Sequence, residues 1–100
     1  MTNLPKTYIP WSKAGGPCIS FWNCGSLRTS IKKHPRILQE WLHKTDPDIM
    51  FILEHKLPPD EKVIEETLAS FDQVSPVRYR SFMHVSTEKK GYSGVAAFVK

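Results

Sequence analysis

The chain has 100 residues and a mass of 11.5 kDa, with 40% apolar and 24% charged residues. This is ordinary globular composition for one small domain, and it excludes a disordered tail, a collagen-like repeat and a multi-domain enzyme. No run approaches the roughly 20 apolar residues of a membrane span, and residues 1–17 lack the apolar core of a signal peptide.

The formal net charge is +4, from 14 basic and 10 acidic side chains. Residues 1–50 hold seven basic and three acidic side chains and residues 51–100 hold seven of each, so the excess lies in the first half. Arg28, Lys32, Lys33 and Arg36 are its densest part, either a phosphate-contacting patch or a solvated positive face. Charge alone does not separate the two. Cys18 and Cys24 bound one short extended run, and six extended steps cover about 20 Å, far beyond the ~4.4–6.8 Å that a disulfide allows between α-carbons. Reduced thiols in an intracellular protein are the expectation.

Residues 1–17, with three prolines and two adjacent glycines, read as an irregular arm. Residues 18–23 form an apolar, aromatic run that suits a buried strand, and Cys24-Gly25-Ser26 supplies a turn. Pro35 is placed to open a helix whose apolar face is Ile37, Leu38, Trp41 and Leu42, stopped at Asp46-Pro47. Residues 48–53 are continuously apolar, the pattern of a strand covered on both faces. Asp60 caps a second amphipathic helix carrying Val63, Ile64, Thr67, Leu68 and Phe71. A partly alternating strand over 77–85 and an apolar strand from Val95 to Val99 complete the order β-α-β-α-β-β. Strands separated by helices predict an α/β fold whose first two strands run parallel.

Two polar residues then end buried strands, Asn23 and Glu54. On parallel neighbours both emerge at the carboxyl edge of the sheet, where ligands of open α/β sheets bind. An amide oxygen and a carboxylate are hard donors suited to Mg²⁺. The alternative is structural, with Asn23 capping a turn and Glu54 paired with Lys56. His55 reads as a surface residue rather than a ligand for a softer metal.

Phe21-Trp22-Asn23 with Leu27-Arg28, Asp46-Pro47-Asp48-Ile49, Leu53-Glu54-His55-Lys56 and Gly91-Tyr92-Ser93-Gly94-Val95 resemble, in order and near spacing, motifs of the exonuclease III/AP endonuclease family. That family lies within the endonuclease/exonuclease/phosphatase superfamily, and its motifs are S-W-N with G-L-R, P-D-I, L-Q-E-T-K and G-Y-S-G-V. The resemblance covers residues 18–100 and corresponds to the N-terminal half of the domain. It implies an α/β four-layer sandwich of two packed sheets, of which this chain holds an incomplete portion.

By the same resemblance, Glu54 and Asn23 would serve a Mg²⁺ site (Mn²⁺ as substitute), with Lys56 in support. Arg28, Lys33, Gly91 and Tyr92 would contact double-stranded DNA at an abasic site. The implied activity is hydrolysis of DNA phosphodiesters in repair, in an intracellular compartment, nuclear in a eukaryote, with no membrane and no small-molecule cofactor. Gly25, Ser26, Phe21, Leu53 and His55 depart from the family pattern, and losses around a metal ligand cost about 10–100-fold in affinity.

The family's water-activating aspartate and histidine motifs match nothing up to Lys100, so no catalytic residue of that kind is present. Without the second sheet, Ile19, Phe51, Val95 and Phe98 are expected to lose cover. The isolated chain is therefore expected to be poorly stable or self-associating, and nearly inactive as a nuclease. Two alternatives remain: a retroelement-type endonuclease, and a truncated non-catalytic nucleic-acid-binding protein.

Overall fold

The computed structural model describes residues 6–8, 17–85 and 94–100. The elements are β1 (Lys6–Tyr8), β2 (Ile19–Asn23), α1 (Leu27–Lys33), α2 (Pro35–Thr45), β3 (Ile49–Leu53), α3 (Glu61–Val74), β4 (Arg80–His84) and β5 (Val95–Val99). They build an α/β fold with one five-stranded sheet in the order β1-β2-β3-β5-β4. β2 and β3 are parallel, in register from Ile19 opposite Ile49 to Asn23 opposite Leu53, and the other pairs are antiparallel.

Two elements depart from the sequence pattern. The arm over 1–17 is not wholly irregular, because Lys6–Tyr8 adds an edge strand against β2. Three residues are too few to show a period, and backbone pairing to an existing strand is what orders them. The second is α1, which falls where the sequence suggests only a turn and a basic cluster. Its signals are short but physical: Ser26 accepts the Thr29 N–H at its N-terminus, Leu27 and Ile31 are buried one turn apart, and Lys32 and Lys33 lie in its last turn.

The predicted caps of the other helices hold. Pro35 opens α2, and Asp46 ends it with a left-handed backbone (φ 44°) just before Pro47. Asp60 caps α3 by accepting the N–H groups of Lys62 and Val63. Of the α2 stripe, Leu38 and Leu42 are buried and Trp41 packs beside them, but Ile37 is 46% exposed. It sits on the rim of the stripe, one position before the buried pair.

All three helices cover one face of the sheet. Trp22, Met50, Ile52, Ala96 and Phe98 pack there against Leu27, Leu42 and Phe71. Among the described residues the other face is open: Phe21 and Phe51 stack with centroids 5.2 Å apart, and Phe21, Leu53, Phe82 and Val95 are exposed. The run 48–53 is therefore covered on one face, with Met50 and Ile52 buried and Ile49 and Phe51 only partly so.

Loss of cover at Ile19, Phe51 and Val95 follows that geometry, but Phe98 is the opposite case. Strand alternation turns it to the helices, where it meets Phe71 at 4.7 Å and is only 2% exposed. The fourth strand is shorter than 77–85. Val77 and Tyr79 precede it, and the Tyr79 hydroxyl donates to the Pro47 carbonyl instead of extending the alternation. Burial, with Asp46 and Asp48 nearby, pushes that hydroxyl up to about 12.

Candidate active site

The parallel register ends Asn23 and Leu53 side by side, and Glu54 follows at once. The Asn23 side-chain amide donates to the Glu54 carboxylate at 2.6 Å, across 31 residues of chain. The surface pairing of Glu54 with Lys56 does not form among the described residues; the ion pairs there are those of Lys100 with Asp46 and Asp48.

Glu54 and Lys56 both hold left-handed backbones, at φ 56° and 55°, a conformation that costs an L-residue about 1–2 kcal/mol. Cys24 lies beneath. Its backbone N–H donates to the Leu53 carbonyl and its thiol to the carbonyls of Leu53 and Glu54. Burial pushes that thiol up to about 11, so it is an inert packing group. Cys18 and Cys24 are both free thiols.

His55 is the main correction at the site. It is fully buried, because every polar group it has finds a partner inside. Nδ1 accepts the Leu57 N–H at 2.9 Å and Nε2 lies 2.9 Å from the His84 carbonyl, which assigns the proton to Nε2. Its backbone N–H donates to the Gly94 carbonyl, and its own carbonyl accepts from Leu27. No local pattern reveals this, since the partners come from four different stretches of chain.

Burial lowers the His55 pKa below its ordinary 6.5, opposed by the His84 carbonyl. The unfolded imidazole therefore binds its proton at higher pH than the folded one. The ring's contribution is complete above about pH 6.5 and is lost as pH falls through the folded value. Urea unfolding should show lower stability at about pH 5 than at about pH 7, with a smaller difference in His55→Asn.

The basic cluster lies immediately downstream of Asn23. Arg28, Lys32, Lys33 and Arg36 are all exposed. Arg28 and Lys32, one turn apart, line a groove of about 380 Å³ with Ile31, Val63, Glu66, Thr67 and Ser70. Lys33 lies roughly 140° around the helix from Arg28 at about 3.6 residues per turn, so these two do not share a face. Gly91 and Tyr92 lie outside the described residues.

A divalent cation would find few donors here. Among the described residues no group of three His, Cys, Asp or Glu is placed to hold a metal. Asn23 is turned with its N–H toward Glu54, His55 has both nitrogens engaged, and Gly25 offers no side chain. What remains is the Glu54 carboxylate, half-exposed and hard, which suits a Mg²⁺ ion that keeps its waters and a substrate phosphate.

Fold and site together define an α/β protein with its polar site outside the carboxyl ends of two adjacent parallel strands. No protein-family model matches the chain. It is 33% identical over 88 residues to the DNA repair nuclease APEX1 of Danio rerio, covering 88% of this chain and 26% of that protein.

Among solved structures it is similar to an AP endonuclease of Leishmania major (TM-score 0.69, 24% identity, covering 96% of this chain and 29% of that one). It is also similar to the Xenopus laevis APE2 catalytic domain (TM-score 0.54, 31% identity, 82% and 23%). An AP endonuclease of Archaeoglobus fulgidus gives a TM-score of 0.54 at 26% identity, covering 81% of this chain and 26% of that one. Over most of its length the chain is therefore similar to part of several AP endonucleases, the family that its motifs resemble. It spans about a quarter of the length of these relatives.

Among the described residues, no helix is long and apolar enough to cross a membrane.

Proposed function

We propose that this chain supplies the metal- and phosphate-facing part of an AP endonuclease/exonuclease that hydrolyses DNA phosphodiesters at abasic sites. The observation that carries the reading is the 2.6 Å bond joining Asn23 to Glu54 across the ends of β2 and β3. Glu54 holds a Mg²⁺ ion, Asn23 orients the carboxylate, and Lys56 supports the charge balance. Arg28 and Lys33 meet backbone phosphates, which sets position rather than sequence preference. When bound, the ion supplies charge neutralisation at the phosphate and the leaving oxygen. Gly91 and Tyr92 complete the proposed DNA contacts.

The likeness to DNA repair nucleases supports the substrate class, and the family's water-activating motifs match no residue of this chain. The 100-residue chain alone is therefore proposed to bind abasic-site duplex while cutting it scarcely at all. Fluorescence anisotropy with such a duplex should show tighter binding in Mg²⁺ than in EDTA, with the difference abolished in Glu54→Gln. Asn23→Ala should weaken Mn²⁺ binding about 10–100-fold. Mg²⁺-dependent nicking by the chain alone, lost in Glu54→Gln, would show the inactivity proposal to be wrong.

A second reading, nucleic-acid binding without cleavage, is favoured by the single carboxylate at the site. It predicts binding that survives EDTA and Glu54→Gln and falls steeply with salt.

A further inference from the structure

We infer that His55 is the positioning residue that aims the Glu54 carboxylate at Asn23. The inference rests on the functional reading above only where it invokes a metal; the positioning itself is a matter of hydrogen bonds. Glu54 and Lys56 flank His55 in left-handed conformations, and nothing in their own side chains favours that backbone. The constraint comes from His55, whose four polar groups are all held.

Leu57 N–H to Nδ1 ties the chain to the ring two residues later, fixing the segment over residues 54–57. Nε2–H to the His84 carbonyl ties the ring to the end of β4. The backbone N–H reaches Gly94 at the start of β5, and the carbonyl takes the N–H of Leu27 at the start of α1. Gly94 also makes room for the ring, since a Cβ there would come within 2.3 Å of it. One buried residue thus fastens four chain segments around the loop that presents Glu54, while the carboxylate itself remains half-exposed and bonded to Asn23.

The two ring nitrogens can be separated by substitution. His55→Asn keeps an acceptor near the Nδ1 position for Leu57 and gives up the bond to His84. His55→Gln reaches toward His84 and leaves the Leu57 N–H without its acceptor. If His55 positions Glu54 through the Leu57 N–H to Nδ1 bond, the Asn23 side-chain amide resonances in a ¹H–¹⁵N spectrum should stay near their wild-type shifts in His55→Asn. In His55→Gln they should move toward those of an unbonded amide.

The Mn²⁺ concentration that broadens those resonances should stay within about twofold of wild type for His55→Asn and rise about 10-fold or more for His55→Gln. Ile31→Val, destabilising and without a polar group that could bond the ring, serves as the control and should change neither readout. Equal behaviour of the Asn and Gln variants, or an unmoved Asn23 signal in folded His55→Gln, would overturn the inference and leave His55 a structural residue only. If wild type shows no Mn²⁺ effect, the functional reading fails by itself, and the Asn23 shifts still decide the positioning.

Discussion

Gly94→Ala is expected to destabilise the chain by about 3 kcal/mol, adding about 1–2 kcal/mol of backbone strain to about 1–3 kcal/mol of overpacking. The residue sits at φ 92°, and a Cβ would lie 2.3 Å from Cε1, 2.5 Å from Nε2 and 2.8 Å from Nδ1 of His55. The imidazole cannot swing aside, because both nitrogens are bonded and the ring is fully buried. Gly25→Ala is the internal comparison. Its φ is also positive, at 68°, but nothing lies within 4 Å of the added methyl, so only the conformational cost of about 1 kcal/mol remains. Urea denaturation of the two variants measures the difference, and equal losses would remove the steric role of His55.

Phe71→Ala is expected to cost about 3–5 kcal/mol, a large share of the roughly 5–15 kcal/mol that stabilises a typical domain. Phe71 is fully buried at the centre of the helix-covered face, against Phe98 at 4.7 Å and Tyr79 at 6.3 Å. At about 4–8 °C per kcal/mol for a domain of this size, the melting midpoint should fall by more than about 12 °C. Phe82→Ala provides the contrast. Phe82 is 57% exposed on the open face, so its removal should change the midpoint little. A comparable loss in both would mean that the open face is covered in solution.

Much of the candidate site is legible in the amino-acid sequence. An apolar run ending in Asn23 and another ending in Glu54, with a helix between, put both polar ends on one edge if the two strands are parallel neighbours. The pairing register then brings them together. The basic cluster is also legible as charge, but not as geometry. That Arg28 shares a face with Lys32 rather than Lys33 depends on α1 being a helix, and its seven residues are too short a window for periodicity to declare itself. His55 escapes the sequence pattern for a related reason. Local sequence gives its neighbours, whereas its burial depends on His84 and Gly94, about 30 and 40 residues away.

The amino-acid sequence by itself determined the α/β class and the helix caps at Pro35 and Asp60, and it offered Asn23 and Glu54 at one sheet edge as the candidate site. These rest on local chemistry: proline's missing donor, aspartate's acceptor and the placement of polar groups at the ends of apolar runs. Only the tertiary structure decided which sheet face the helices cover, and so why Phe98 is core while Phe82 is exposed. It also showed that β1 completes the sheet edge and that a buried, fully hydrogen-bonded histidine follows Glu54. Each of these depends on groups distant in sequence meeting in space, where burial makes a hydrogen bond or a ring contact decisive.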